Sequence, residues 1–556
     1  MGTRPSRPAG RPMTSTDPIV GSPNGAGPAN ALPAPAEPTI ADALAAIARR
    51  SPASPAVGRR GERLRTYAEL HERTDRLANA FTAAGLRPGA PVGAWMEDCP
   101  EYLEVYLAAA KAGLVVVPVN ARFTAEEARY ALDRGDVQAL VFTDGTAPKV
   151  EEAAADRPLR LTLTPGTERV AGAAAYQDVL AAAAATRAAA AVPGDAPYIM
   201  AFTSGTTGFP KAAVLTHRSV MTVCRSQVAA TRLPAYGVRA HTNSMSFTSS
   251  VSAHLLPTLF TGGASVLMGT GWHVDDLLDV VERYRATHTT IPSPFVRDLV
   301  EHLGGAPDRL GSLQSILHAG SKVDGSLLQQ LGELAGARFV EGWGMTENSG
   351  GLVCSTSALD VLGASPIGSA VFDTVGRPVP GVEVEVVGAD GAPLPHDGES
   401  VGELLVRSPS LVAGYWRDEA ATAKAFRDGW YHSGDLGSID AHGYVRVVDR
   451  RADLIVSGGM NIYPAEVERV LRTHPAVAEC AVVAGPHERW GQTPVAVVVV
   501  RPGVSLTQDE VIAHCRAHLA GYKKPTSVLF VEQLPRNSSD KIARERLRQI
   551  VAAAAG

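Results

Sequence analysis

The sequence is short of cysteine, of aromatic residues and of net charge. Its five cysteines, Cys99, Cys224, Cys354, Cys480 and Cys515, are scattered through 556 residues with no Cys-x-x-Cys spacing. That excludes a disulfide framework and a zinc ribbon, and it suits a reducing, cytoplasmic compartment. Lysine and arginine number 52 against 57 acidic residues, a net charge of −5 that leaves no nucleic-acid footprint and no polybasic membrane patch. No secretory apolar segment opens the chain and no run reads as a membrane span. A Walker loop is missing too, since Gly-Lys-Ser/Thr never follows a glycine across four residues. What remains is an apolar content of 45 %, ample for several domain cores or for one large and one small.

Residues 1–36 are rich in Pro, Gly, Ala and Ser, which predicts a disordered tail. Its start, Met1-Gly2-Thr3-Arg4-Pro5-Ser6, formally fits a myristoylation pattern that is too short to carry weight. From 38 to 86 the pattern is helix, short strand, helix, with Thr66 as N-cap of the second helix. Apolar runs at 92–96, 114–119 and 139–142 read as strands, with a helix over 102–112. Strands alternating with helices predict an α/β core with a largely parallel sheet. Residues 180–191, almost all alanine, read as a surface helix or a linker, and 217–233 as a helix.

The chemistry concentrates at Thr203-Ser204-Gly205-Thr206-Thr207-Gly208-Phe209-Pro210-Lys211, between apolar runs that predict two strands. Glycines let successive N–H groups turn inward into an anion nest, the hydroxyls add donors, and Lys211 adds charge. Such a surface suits polyphosphate, most simply ATP. Further along stand Glu341-Gly342-Trp343-Gly344-Met345-Thr346-Glu347, then Tyr431-His432-Ser433-Gly434-Asp435, then Asp449-Arg450-Arg451-Ala452-Asp453. The chain closes on Ser457-Gly458-Gly459-Met460, Gly521-Tyr522-Lys523-Lys524-Pro525 and Leu534-Pro535-Arg536-Asn537-Ser538-Ser539-Asp540-Lys541-Ile542.

Taken together over roughly 38–550, these segments resemble the motifs of the adenylate-forming superfamily, which includes acyl-CoA synthetases, luciferases and peptide-synthetase adenylation domains. The resemblance implies an α/β fold: a large, multi-layer N-terminal domain with mixed sheets over 37–451, and a small, mobile α+β domain over 452–556. It implies ATP, Mg²⁺ and coenzyme A as reactants or cofactors, and a carboxylic acid or its acyl-adenylate as partner. Thr203, Ser204, Gly205, Thr206, Thr207 and Lys211 would hold the phosphates. Gly320, Ser321 and Lys322, in a turn after an apolar strand at 313–317, would cover one face of the adenine, with Lys322 replacing a usual proline. Glu341, Gly342 and Trp343 complete the base site, Trp343 by stacking. Thr346 would bond the α-phosphate, Glu347 the metal, and Asp435 and Arg450 the ribose. Lys541 takes the place of the adenylation lysine and, with Thr206 and Glu347, is implied to be catalytic.

For the second half-reaction, the resemblance assigns Gly458, Gly459, Met460, Tyr522 and Lys524 to coenzyme A. It assigns Phe247, Thr248, Gly350 and Gly351 to the acyl pocket. Thr248 stands where histidine is usual; His254 does not fill that slot by spacing and reads as an ordinary helix histidine. The absence of bulk around Gly350, with the serine-rich stretch 244–252, predicts a roomy pocket for a bulky or partly polar acyl group. Two departures stand out: Ala452 at the hinge in place of Asp or Lys, and Asp540 before Lys541 in place of Gly. The function implied is an acyl-CoA ligase. The alternatives are a thioester-forming enzyme fed with acyl-AMP, a stand-alone enzyme that loads a carrier protein, and a silent adenylate-binding protein.

Overall fold

The computed structural model describes residues 38–555 except 156, 169, 187–191, 204–209, 305–306, 321–322, 324, 359, 458–459, 488–489, 520 and 538–540. The expected tail therefore lies outside the described residues, as does much of the alanine run.

The helix Pro100–Ala112 shows how the centre is built. Pro100 at its first turn and Gly113, left-handed at φ 68°, set its ends, and all of its residues are buried. Its charged residues are buried with partners. Glu104, fully buried, accepts from Arg65, Arg73 and the Tyr176 hydroxyl, and Lys111 donates to Asp75 at 2.7 Å. Pairing is what makes such burial tolerable. Thr66 caps the helix Tyr67–Ala83 in a full capping box with Glu69, as the sequence predicts.

Four sheets organise the described residues. A seven-stranded sheet has the parallel strands Leu161–Thr164, Ala139–Phe142, Pro91–Trp95, Val115–Val119 and Pro197–Thr203 in that order, ending in the antiparallel hairpin of Pro197–Thr203 with Lys211–Thr216. A nine-stranded sheet carries Ala264–Leu267, Val238–His241, His288–Ile291, Ser315–Ala319 and Phe339–Gly344 side by side and parallel. A five-stranded antiparallel sheet contains Trp430–Ile439 and Val445–Arg450. The fourth sheet begins at Ile455–Ser457 and, with the helices Pro464–Arg472, Gln508–His518 and Arg544–Ala555, makes the smaller C-terminal domain. The class is α/β, a large domain of mixed sheets followed by a small one.

Open parallel sheets place ligands at the carboxyl ends of their strands. Here those ends deliver Gly320, Thr346 and residues 242–247. One strand sits two residues later than the apolar run at 313–317 predicts. Gln314 and Ser315 both donate to Thr287 O, at 2.6 and 3.1 Å, so pairing starts at Ser315 and puts His318 and Ala319 inside the strand. Among the described residues, no helix is long and apolar enough to cross a membrane, and all five cysteines are buried and free.

Candidate active site

Cross-strand register assembles the first group. Asp435 and Arg450 are direct partners on adjacent antiparallel strands, and Arg450 Nε meets Asp435 Oδ1 at 2.5 Å. Trp343 Nε1 donates to Asp435 Oδ2 at 3.1 Å. Asp435 is 2 % exposed, and burial raises its pKa against the opposing pull of Arg450, Trp343 and Lys541. Residues 431–437, whose glycine suggests a turn, lie within the ten-residue strand Trp430–Ile439, and Gly434 takes φ 70° there.

Lys541 comes from the other domain. Asn537 N donates to Lys541 O at 2.8 Å and Lys541 N donates to Asn537 Oδ1 at 3.0 Å, so the loop around it is closed at its base. Its ammonium reaches Gly320 O at 3.0 Å, at the end of the strand Ser315–Ala319. Desolvation lowers the Lys541 pKa, Arg450 pushes the same way, and Asp435 opposes them. Thus Gly320, Trp343, Asp435, Arg450 and Lys541, spread over more than 200 positions, form one cluster.

A second group forms around Glu347. Val412 N donates to Glu347 O at 2.9 Å, and the following residues pair with the strand Lys211–Thr216 through Ala413 N to Val214 O and Trp416 N to Ala212 O. This strap aims the Tyr415 hydroxyl at Glu347 Oε1, 2.9 Å away, and sets the Tyr415 ring under Lys211 Nζ at 5.2 Å. Tyr415 escapes sequence reasoning because it is one aromatic between two motifs, and only its pairing with residue 213 marks it. His318 and Glu341 are also cross-strand partners, with Nδ1 to Oε2 at 2.5 Å, and burial raises the Glu341 pKa while His318 restrains it.

The remaining predicted residues divide. Thr203 ends its strand, Gly342 lies within the strand Phe339–Gly344 and Thr346 opens the turn after it, but Ser204, Gly205, Thr206, Thr207, Ser321, Lys322, Gly458, Gly459 and Asp540 fall outside the described residues. Met460 and Tyr522 are exposed, and neither they nor Lys524 hydrogen-bonds or ion-pairs with the Asp435–Arg450–Lys541 cluster. Ala452 is exposed in the turn between two sheets, while Arg451 N and Asp453 N on either side are tied to Gly434 O and Arg450 O.

Phe247 and Thr248 precede the π-helical turn Ser250–Leu255, which packs on Ser349 and Gly350. The absent side chains there do not leave a void. A Cβ on Gly350 would come within 2.7 Å of Ser249 N, and one on Gly351 within 2.8 Å of Val223. The room predicted around Gly350 is instead close packing, with φ 77° at Gly350 adding a second demand for glycine. His254 is likewise not an ordinary helix histidine: it is buried in that π-helical turn, and Nδ1 has no partner. Asp98, also unforeseen, accepts from Met245 N at 2.8 Å, and burial pushes its pKa up to about 6.

Comparisons with known proteins bear on the family of the chain. The model of the AMP-binding enzyme family matches residues 44–416, and that of the AMP-binding enzyme C-terminal domain matches 466–541. A feruloyl-CoA synthase from Amycolatopsis sp is 37 % identical over 508 residues, 90 % of this chain and 97 % of that one. Among solved structures, ATP-bound MatB from Rhodopseudomonas palustris superposes with a TM-score of 0.82 at 28 % identity, covering 92 % of this chain and 98 % of that one. The o-succinylbenzoate CoA synthetase from Bacillus subtilis, in complex with its acyl-adenylate intermediate, gives 0.78 at 26 %, covering 91 % and 97 %. By the span of both family models and the coverage of these relatives, the chain belongs to the family of AMP-binding enzymes.

Proposed function

We propose that this enzyme is an acyl-CoA ligase that joins a carboxylic acid to coenzyme A through an acyl-adenylate. The observation that carries the proposal is the ammonium of Lys541 at Gly320 O, beside Asp435 and Arg450. A cation from the small domain delivered to a carboxylate–guanidinium pair on adjacent strands suits a reaction that builds negative charge on a phosphate. In the first step the acid's carboxylate oxygen attacks the α-phosphorus of ATP, and the bond to pyrophosphate breaks. The work of the protein is positioning and charge neutralisation. Lys541 would bridge the acid and the α-phosphate, Thr346 would donate to that phosphate, and Lys211 with the 203–207 loop would hold the leaving group. Asp435 would offer the ribose hydroxyls a charged acceptor, and Trp343, held by its N–H, would stack on the base.

The family implies Mg²⁺, and the donor set fits it. Glu347 has one oxygen taken by the Tyr415 hydroxyl and one left, and no group of three or more metal-type ligands occurs among the described residues. A single carboxylate suits an ion that arrives with the phosphates and keeps its waters. It would neutralise phosphate charge there. In the second step the thiol of coenzyme A attacks the acyl carbonyl and AMP leaves. Met460 and Tyr522, exposed in the present pose, and the half-buried Lys524 would then take the cofactor once the small domain turns about Ala452. A cytoplasmic site of action follows from the substrates and the free cysteines.

Mass spectrometry of products from an acid panel with ATP and coenzyme A tests the proposal, repeated with synthetic acyl-AMPs. Acyl-CoA and AMP from both arms are expected. Thioester from acyl-AMP alone would leave the enzyme fed by supplied adenylates, and thioester from neither arm would overturn the proposal.

A further inference from the structure

Between the nine-stranded sheet and the helical segment 250–260 the contact face is polar where a sheet–helix interface is ordinarily apolar. The strand Val238–His241 directs Arg239 and His241 to this face, and the neighbouring strands add Ser265 and His288 opposite Arg239. All of them are buried. The face continues to the active site: His241 Nε2 meets Ser250 Oγ at 2.9 Å, and two residues on Ser252 Oγ donates to Ser349 O at 2.6 Å, beside Gly350. A polar seam therefore runs from the site inwards along a π-helical turn, a feature frequent at functional sites.

Arg239 closes the seam. It is 3 % exposed, and its partners are two hydroxyls: Nε to Thr258 Oγ1 at 3.1 Å and one terminal nitrogen to Thr290 Oγ1 at 3.3 Å. Among the described residues no carboxylate pairs with it, and desolvation alone lowers its pKa, to about 9. The second terminal nitrogen has no acceptor among the described residues. The proton of Thr258 can be assigned. Thr258 Oγ1 donates to His254 O at 2.8 Å, so it receives rather than gives in its 3.0 Å contact with His288 Nε2. Thr290 Oγ1 receives from Arg239 and lies 3.5 Å from His254 Nε2, and His254 Nδ1 is a buried nitrogen without a partner among the described residues. Burial beside Arg239 keeps His241, His254 and His288 neutral. Among the described residues nothing at this end of the seam offers a negative charge. A buried guanidinium without a counter-charge is expensive to keep.

We propose that Arg239, with the buried His254 imidazole beside it, forms a receptor for an anionic group at the far end of the acid substrate, so that this enzyme acts on acids bearing a second carboxylate. The inference rests on the adenylate-forming reading above. A small free anion has the same chemistry as that carboxylate, and the two sources are separated by the test.

The experiment pairs monocarboxylic acids with ω-carboxy analogues of equal length and measures pyrophosphate release by the wild-type enzyme, Arg239→Met and Arg239→Lys. In parallel, thermal melting of wild type and Arg239→Met is followed in the dicarboxylates and in sodium chloride at constant ionic strength. The wild type is expected to prefer the ω-carboxy acid. Arg239→Met should lower the ω-carboxy to monocarboxylic ratio of kcat/KM about 10- to 100-fold, the worth of a charge-assisted hydrogen bond, and Arg239→Lys should restore part of it. The dicarboxylates should raise the wild-type melting temperature and not that of Arg239→Met. Adenylation of both acid classes with a ratio unmoved by Arg239→Met overturns the inference, as does a melting shift produced by chloride alone. If no acid of either class is adenylated, the reaction proposed above fails, and the receptor is then decided by the melting arm. Because methionine removes an unpaired buried charge at similar volume, Arg239→Met should fold at least as well as the wild type.

Discussion

Replacing Asp435 with alanine perturbs the stability of the fold, the binding of nucleotide and the pH dependence of both. In the free enzyme the carboxylate accepts from the Trp343 N–H at 3.1 Å and pairs with Arg450 at 2.5 Å. Leaving the buried indole N–H unpaired costs about 1–3 kcal/mol. The lost ion pair adds about 1 kcal/mol at most, because the Arg450 side chain is 53 % exposed and water screens it. Against these stands the desolvation that raises the Asp435 pKa, a cost that vanishes with the carboxylate. The net stability loss should therefore be about 1–2 kcal/mol. The loss in ligand binding is not offset in this way. A ribose hydroxyl bonded to a charged acceptor is worth about 1.5–3 kcal/mol, so Kd for ATP and for a non-hydrolysable acyl-AMP analogue should each rise about 10- to 100-fold. The sign of the pH dependence follows from the raised pKa. The buried group favours the fold on the acid side, and that advantage is lost as pH rises through its folded pKa. Nucleotide affinity runs the other way, because the charged acceptor disappears as pH falls through the same value. Isothermal calorimetry of both ligands across pH is the assay. Unchanged affinities, or a loss for ATP with none for acyl-AMP, would refute the placement of the ribose at Asp435.

Lys541→Ala should slow acyl-AMP formation by about 10²–10³-fold and spare thioester formation from supplied acyl-AMP; equal losses in separate half-reaction assays would refute the division. Gly350→Ala forces a left-handed φ of 77° on an L-residue and drives Cβ to within 2.7 Å of Ser249 N. It should cost about 2–4 kcal/mol in a denaturant titration, and a loss under 1 kcal/mol would show that the 249–252 segment yields. Asp540→Gly should speed pyrophosphate release by removing a Cβ and a negative charge beside Lys541, and an unchanged rate with the true acid would end the argument.

What was legible in the sequence follows from how far apart the interacting residues lie. The strands at 92–96 and 139–142 and the Thr66 cap are local patterns, and they stand within a residue of their predicted places. The order of the motifs led to the fold class. The strap 412–416 that ties Glu347 to Lys211, and the seam behind the acyl region, depend on pairing between distant strands, and no window of sequence displays them. Arg239 reads as one polar residue in a short strand, and His254 as one histidine in a helix. Only the sheet sets them together and takes away their partners. Gly350 misled in the opposite direction, because a missing side chain in sequence is equally a sign of space and of contact. On the proposed mechanism Lys541, held at Gly320, and Met460 and Tyr522, which are exposed, would serve one site in succession. The rotation between the two poses would pass through Ala452, flanked by the tied amides of Arg451 and Asp453. On that mechanism, resistance to the rotation sits in the Asp453 N–H bond to Arg450 O, which crosses the turn, while the Arg451 N–H bond to Gly434 O stays with the large domain and the grip of Asp453 on Arg548, at 2.8 Å, turns with the small one.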